Sequence, residues 1–206
     1  MKLMLDSISP LSTALSIVAP TLTLSRNIPQ SIRIIRSGAE GVSQVSWLLV
    51  VGVAELWVVY GFLYHVPAEV VTNVPNCLMA VLILVLAARH HRSLRRTVSG
   101  VVLCTLLALG IAIASIAVSE HSIISFLAVS GAFCLYLPQL RNVVLSQSIS
   151  GVSLLSWLLA LGASISWGIY GLTIHQPAVS LPSLVLTPSA ALIVLRILTH
   201  ARPVHE

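Results

Sequence analysis

Seven apolar stretches alternate with short polar segments along the 206 residues of the chain. Each stretch is long enough for a membrane-crossing helix, which needs about 20 residues at a rise of about 1.5 Å each. The pattern therefore predicts seven transmembrane helices, over residues 10–34, 43–64, 68–88, 98–118, 122–145, 153–174 and 178–198. A β-barrel does not fit, because its strands would appear as short alternating segments and not as continuous apolar runs.

The composition points to the same environment. Hydrophobic residues make up 57% of the chain and charged residues only 8%, whereas a soluble domain carries about 25% charged residues. A chain with so few charges could not cover itself with a hydrated surface. The predicted fold class is therefore an all-α integral membrane protein with seven transmembrane helices.

The arginines gather on one side of this topology. They lie in or beside the segments that follow the odd-numbered spans: Arg33, Arg36, Arg89, Arg92, Arg95, Arg96, Arg141 and Arg202. The opposite loops, near His65, Glu120 and His175, contain no Lys or Arg. Because Lys and Arg accumulate on the cytoplasmic side, we expect an outside N-terminus, a cytoplasmic C-terminus and a location in the cell membrane. The same scatter of basic residues over several loops gives no basis for a nucleic-acid partner.

The chain also contains one segment written twice. Residues 41–61 and 151–171 are identical at 11 of 21 positions without a gap. The pair Pro29-Gln30 precedes the first copy, and Pro138-Gln139 precedes the second. A duplicated sequence predicts a duplicated structure.

The repeat divides the seven spans into three, one and three. We expect residues 10–90 and 122–200 to form equivalent triple-helix bundles, with residues 98–118 as a linking transmembrane helix. Three helices leave the two ends of a bundle on opposite membrane faces, so one extra span is needed to give the second copy the same direction. The two bundles are therefore predicted to be parallel repeats.

Short motifs recur at matched places in both copies. The first copy has Ile28-Pro29-Gln30, Gly41-Val42-Ser43, Trp57-x-x-Tyr60-Gly61 and Asn73, and the second has Leu137-Pro138-Gln139, Gly151-Val152-Ser153, Trp167-x-x-Tyr170-Gly171 and Ser183. Each copy resembles a PQ-loop triple-helix bundle, and the spacing of its motifs is similar to that of the SWEET and SemiSWEET sugar transporters (PQ-loop, MtN3/saliva-type repeats). The resemblance implies facilitative, bidirectional movement of a mono- or disaccharide by alternating access between the two repeats.

The chain departs from that family in two respects. Ser183 stands where the family usually has Asn, and the second and sixth spans contain no proline. The protein therefore looks more like two SemiSWEET units joined in one chain.

Four side chains are candidate substrate contacts: Trp57, Asn73, Trp167 and Ser183. The first two lie eight residues on either side of His65, and the last two lie eight residues on either side of His175. If the outer hairpins turn at these histidines, all four side chains lie about 12 Å below the outer surface, near the middle of the apolar layer. Trp offers a sugar ring a flat face and an N–H donor, and Asn and Ser add hydrogen-bonding groups. The alternative is that these residues serve only packing and hydrogen bonding between helices.

The Pro-Gln pairs are candidate gating hinges, comprising Pro29, Gln30, Pro138 and Gln139. Proline removes a backbone donor from a helix and leaves a local weak point. Matched weak points in both copies suit a gate that bends, and the alternative is a static kink.

Glu55 is a candidate proton site, because an acid near the middle of a span is costly and often functional. Its counterpart in the second copy is Ile165. Glu55 is two residues from Trp57 and points about 200° around the helix from it, so a protonated or Arg26-paired structural role is the alternative. Glu69, near the outer end of the third span, is expected to be solvated.

Other function classes stay open beside the sugar transporter. If Glu55 titrates along a pathway, the protein would be a proton-coupled PQ-loop exporter of amino acids or other small solutes. The bundle also resembles non-transporting retrieval receptors, although no intramembrane Arg cluster is present to capture a peptide carboxylate. No nucleophile–base pair, phosphate loop or metal-ligand spacing points to an enzyme or a cofactor. The expected partners are a small neutral solute, in the first place a sugar, and the lipid bilayer, with a homo-oligomer left open.

Overall fold

The computed structural model describes residues 9–37, 44–90, 94–117, 122–145 and 154–200. Within these residues the chain forms seven long helices and one short helix, and no strand. The helices are α1 (Pro10–Ser37), α2 (Gln44–Leu63), α3 (Pro67–His90), α4 (Leu94–Ala117), α5 (Ser122–Leu145), α6 (Leu154–Thr173), α7 (Pro177–Ser180) and α8 (Ser183–His200). The predicted all-α class and the number of long helices are thereby confirmed.

Five helical stretches of the described residues are long and apolar enough to cross a membrane: Gln44–Leu63, Pro67–Arg89, Leu94–Ala117, Leu154–Thr173 and Pro177–Thr199. A shorter apolar stretch, Ser122–Leu135, lies in α5. Large apolar side chains of α4, including Val102, Leu106 and Ile113, are at least half exposed. Such a surface fits hydrocarbon, not water, so the protein is a multi-pass membrane protein.

Two hairpins repeat the same turn. His65 and His175 both have a φ of 55°, which lies in the left-handed region that few residues with a side chain adopt. After each histidine, a backbone N–H returns to a glycine carbonyl: Val66 to Gly61 and Gln176 to Gly171, both at 2.8 Å. The expectation that the hairpins turn at the histidines is therefore confirmed.

The two glycines allow these hairpins to close tightly. A Cβ added to Gly61 would lie 2.8 Å from a Val70 methyl and 3.0 Å from the Val66 carbonyl oxygen. A Cβ added to Gly171 would lie only 2.6 Å from the Ser180 backbone nitrogen. Both hairpins thus require a residue without a side chain at this position, and the second is the tighter of the two.

The predicted seventh span, residues 178–198, is not one helix, because the chain divides it into α7 and α8 at Leu181 and Pro182. Proline has no backbone N–H to donate to the carbonyl four residues earlier, so the helix is interrupted there. The matching residue of the first repeat is Thr72, whose hydroxyl donates to the Ala68 carbonyl at 2.7 Å within an unbroken α3. The break thus coincides with a proline of the second repeat where the first repeat has Thr72, although α3 itself continues through Pro75.

The chain folds into two compact units. The central unit is Asn27–Leu135, and the terminal unit combines Met1–Arg26 with Tyr136–Glu206. Each boundary falls inside a helix and at the same place relative to a Pro-Gln pair, since Arg26 is three residues before Pro29 and Leu135 is three residues before Pro138. The units therefore do not follow the repeat, and the bundles expected at residues 10–90 and 122–200, with the linker at 98–118, remain a prediction.

The first halves of α1 and α5 make equivalent contacts inside these units. In the terminal unit, Leu22 of α1 lies 3.3 Å from where a Cβ on Gly162 of α6 would stand. In the central unit, Val53 of α2 lies 2.7 Å from where a Cβ on Gly131 of α5 would stand. Leu22 and Gly131 both precede a Pro-Gln pair by seven residues. Each repeat's first helix therefore begins against the second helix of the other repeat.

Helix α4, the predicted linker, packs inside the central unit. Val51 of α2 and Ala80 and Leu84 of α3 form a fully buried cluster, and Val101 and Cys104 of α4 pack against it. Helix α4 thus packs against the core of the central unit along one of its faces.

Candidate functional site

Trp57 begins a row of aromatic rings along α2. Its side chain is 7% exposed and meets Tyr60 edge to face, with 5.3 Å between ring centroids. Tyr60 stacks on Tyr64 at 4.5 Å, and the Tyr64 hydroxyl accepts a hydrogen bond of 3.0 Å from Ser125 of α5. Spacings of three and four residues place these rings on one helical face. The row holds the indole plane in place without using its N–H, for which the described residues supply no acceptor.

Asn73 lies on α3, across the hairpin from Trp57, and is 8% exposed. Its amide nitrogen donates twice to Glu69, to the backbone carbonyl at 2.9 Å and to the carboxyl Oε2 at 2.8 Å. Because an amide nitrogen carries two hydrogens, both donors are committed. The carbonyl oxygen of Asn73 is the group that is left for a ligand.

The expectation that Glu69 is solvated is wrong, since its side chain is only 5% exposed. The reason is the close return of the hairpin. A Cβ on Gly61 would stand 3.1 Å from the Glu69 Cβ, so α2 covers the carboxyl-bearing side chain at the start of α3. An i, i+4 spacing to Asn73 was a signal in the sequence that could have revealed the pair.

Trp167 of α6 has a different partner. It meets Tyr170 edge to face at 5.8 Å, as Trp57 meets Tyr60, but its indole N–H donates to the Thr23 hydroxyl of α1 at 2.9 Å. Thr23 in turn donates to the Ala19 carbonyl at 2.8 Å. Trp167 and Thr23 are 144 positions apart in the sequence, and no local pattern could have paired them.

Ser183, the first residue of α8, is 7% exposed. A Cβ on Gly168 of α6 would stand 3.1 Å from the Ser183 Cβ and 3.3 Å from its hydroxyl oxygen. Ser183 therefore lies directly against the backbone of α6, beside the residue that follows Trp167.

The four candidate contacts fall into two pairs. Trp57 and Asn73 belong to the central unit, and Trp167 and Ser183 belong to the terminal unit. Each pair stands on the two arms of one hairpin, eight residues on either side of its histidine turn. The convergence of all four on one ligand stays a prediction.

The backbone of Pro29, Gln30, Pro138 and Gln139 lies within α1 and α5. Their side chains lie outside the described residues, and their role as hinges stays a prediction.

Glu55 faces α4. Its Oε1 accepts a hydrogen bond of 2.7 Å from the Thr105 hydroxyl, and its Oε2 is buried without a hydrogen-bond partner among the described residues. The neighbouring Cys104 thiol reaches the Leu48 carbonyl of α2 at 3.7 Å. The visible role of the Glu55 side chain is thus a contact between α2 and α4, and its role as a proton site stays a prediction.

Helices long enough for the membrane, two identical hairpin turns and buried polar groups on their arms define a multi-pass α-helical membrane protein built from an internal repeat. A PQ loop repeat model matches residues 121–180, which contain the second hairpin. Among solved structures, a eukaryotic SWEET transporter matches with a TM-score of 0.78 and 15% identity, over 97% of this chain and 99% of that chain. No curated protein sequence matches significantly. The chain thus contains a PQ loop repeat and has the fold of a SWEET transporter, which confirms the resemblance seen in the sequence.

Proposed function

We propose that the protein is a facilitative transporter that moves a mono- or disaccharide in either direction across the cell membrane, by alternating access between its two repeats. The observation that carries this proposal is the pair formed by Trp57 and Asn73. The indole N–H of Trp57 and the carbonyl of the buried Asn73 amide lie on the two arms of one hairpin, and within the described part of the chain neither has a hydrogen-bond partner.

This pair supplies the groups that a sugar needs. The indole face suits the C–H side of a pyranose ring, and its N–H can donate to a hydroxyl oxygen. The Asn73 carbonyl can accept from a second hydroxyl. Both groups lie about 12 Å from the hairpin turn, close to the midplane of the apolar layer, where polar groups are costly unless they face a cavity or a partner.

The helix boundaries support a hinged mechanism. Proline cannot donate a backbone hydrogen bond, so Pro29 and Pro138 leave the carbonyls of Ser25 and Cys134 without their helical donors. The boundary between the two units crosses α1 and α5 next to these carbonyls, after Arg26 and after Leu135. Each helix belongs to one unit before this boundary and to the other unit after it. Bending at the two prolines would therefore let the two parts of each helix move separately during a switch between states.

The arginine distribution supports a cytoplasmic C-terminus and an outside N-terminus. A reporter fused after Glu206 should read as cytoplasmic. A reading on the outside would contradict the orientation and its seven membrane crossings.

Uptake of a panel of radiolabelled sugars into proteoliposomes, with and without a pH gradient, tests the proposed function. We expect saturable downhill exchange of at least one sugar that does not depend on the gradient. A second candidate, a proton-coupled exporter of amino acids or other small solutes, is favoured only by the half-buried carboxyl of Glu55, whose Oε2 has no hydrogen-bond partner among the described residues. Uphill movement driven by protons would support the second candidate, and the absence of any transport would favour a receptor or scaffold.

A further inference from the structure

We propose that Glu69 is a positioning residue that sets the ligand specificity of Asn73. By holding the amide nitrogen, Glu69 makes Asn73 present its carbonyl oxygen, so that this position selects a ligand group that donates a hydrogen bond. The proposal rests on the proposed function. It names the residue that determines which hydrogen-bonding group Asn73 offers to a ligand.

The orientation follows from the two hydrogen bonds of the amide. The Glu69 backbone carbonyl alone, at 2.9 Å, would hold one hydrogen of the Asn73 nitrogen. The carboxyl Oε2, at 2.8 Å, takes the second hydrogen. Exchanging the amide oxygen and nitrogen would set the amide oxygen against the backbone carbonyl and Oε2, the two acceptors of the present arrangement. The observed orientation of the Asn73 amide is therefore the one that satisfies both acceptors of Glu69.

Glu69 is itself held firmly. It lies in the first turn of α3, where the helix dipole favours a negative charge. Its backbone N–H donates to the Val66 carbonyl at 3.1 Å, and Gly61 of α2 closes over its Cβ. A side chain that is 5% exposed and fixed on both arms of the hairpin can orient its neighbour.

The second repeat serves as an internal comparison. Its residues at the matching positions are Val179 and Ser183. The carboxyl is missing there, and so is the amide that it would orient. The Glu–Asn pair is thus a feature of the first hairpin alone, separate from the turn that both hairpins share.

Monodeoxyfluoro sugars test the direction of the hydrogen bond, because fluorine cannot donate. Each analogue would compete with the transported parent sugar in proteoliposomes that contain the wild type, Glu69→Val or Thr72→Val. For the wild type, we expect fluorine at one ring position to weaken binding about fivefold or more. In Glu69→Val the Asn73 amide keeps only its hydrogen bond to the backbone carbonyl of residue 69, so turning the amide to donate costs less and this discrimination should become smaller.

Thr72→Val is the matched control, because it removes a buried hydroxyl beside Asn73 that donates to Ala68 of its own helix and, within the described residues, has no other partner. Its discrimination should equal that of the wild type. Equal discrimination by the wild type and Glu69→Val would overturn the proposal, and so would a wild type that tolerates fluorine at every ring position.

A second measurement needs no ligand. In a double-mutant cycle on the thermal unfolding of the substrate-free protein in detergent, Glu69→Val and Asn73→Ala should be non-additive, since they break the same contact. Additive losses would show that Glu69 does not hold Asn73. If the cycle shows coupling while the wild type binds no sugar, the proposed function fails but the positioning of Asn73 by Glu69 stands.

Discussion

The two hairpins share one backbone and differ in what their polar groups do. Both turn at a histidine with a φ of 55° and close on a glycine. In the central unit, the Trp57 N–H and the Asn73 carbonyl have no hydrogen-bond partner among the described residues. In the terminal unit, the Trp167 N–H is donated to Thr23 of α1. Both copies thus share the scaffold, while the Trp57 N–H has no acceptor among the described residues and the Trp167 N–H joins two helices.

A second contact in the terminal unit points the same way. Thr187 of α8 donates to the Ser164 hydroxyl of α6 at 3.0 Å. The matching residues of the first repeat are Cys77 and Ala54, which could not form such a hydrogen bond. Hydrogen bonds between membrane helices are worth about 0.6 kcal/mol on average, so several of them are needed to fix an arm. The terminal hairpin therefore has a side-chain hydrogen bond between its two arms where the matching residues of the central hairpin have none, whereas α2 of the central hairpin bonds to α4 and α5 through Glu55 and Tyr64.

The largest expected effect is on transport by the central hairpin. Trp57→Ala and Asn73→Ala should each abolish or strongly reduce sugar uptake into proteoliposomes, since each removes about 1–3 kcal/mol of hydrogen bonding to a polar ligand. Ser183→Ala should cause a smaller loss. Equal losses in Asn73→Ala and Ser183→Ala would show that the two hairpins contribute alike, and full activity of both central variants would place the ligand elsewhere.

The next effect concerns the place where α1 and α5 pass from one unit to the other. Replacing Pro29 and Pro138 by Ala restores a backbone donor to each helix and stiffens it. The double variant should still bind sugar but exchange it slowly, as expected when a conformational step limits the rate. Isothermal titration measures the binding and exchange flux measures the transport rate, so the two measurements on the same preparation separate these effects. Wild-type flux would show that the prolines are static kinks.

A stability comparison sharpens the difference between the hairpins. Gly171→Ala places a Cβ 2.6 Å from a backbone nitrogen, whereas Gly61→Ala places a Cβ 2.8 Å from a valine methyl and 3.0 Å from the Val66 carbonyl oxygen. The closest backbone contact is tighter at Gly171, so Gly171→Ala should lower the unfolding temperature more. Overpacking of this kind costs about 1–3 kcal/mol. Thermal unfolding in detergent would decide, and a larger loss in Gly61→Ala would contradict the geometry.

The smallest effect is expected at Glu55. Glu55→Gln keeps the side-chain volume and an oxygen that can accept from Thr105, and removes only the titratable group. Sugar exchange should therefore remain close to that of the wild type, with and without a pH gradient. Loss of proton-driven uptake in this variant, together with such uptake in the wild type, would favour the coupled exporter.

Much of the fold can be predicted from the sequence, because the lengths of the apolar stretches and the internal repeat indicate where the helices lie. The predicted second span, residues 43–64, is observed as Gln44–Leu63, and the predicted fifth span begins and ends as the helix Ser122–Leu145 does. The break at Pro182 was missed because the hydrophobicity continues across it.

The polar chemistry was less readable. The spacing around the histidines identified Trp57 and Asn73 as residues on opposite arms of one hairpin. Glu69 was misjudged, because a charge near a helix start is usually solvated and only the close packing at Gly61 buries it. The bond between Trp167 and Thr23 depends on α1 beginning against α6, and no sequence pattern specifies such a long-range contact.

Replacing each tryptophan in turn by phenylalanine tests the central claim most directly, because phenylalanine keeps a ring and removes only the N–H. Sugar affinity and unfolding temperature would be measured for Trp57→Phe and Trp167→Phe in the same detergent. We expect Trp57→Phe to weaken sugar binding by about tenfold with little change in unfolding temperature. Trp167→Phe should lower the unfolding temperature through loss of the Thr23 hydrogen bond and affect binding less. The opposite assignment, or equal effects of the two variants on both quantities, would contradict the division of roles between the two hairpins.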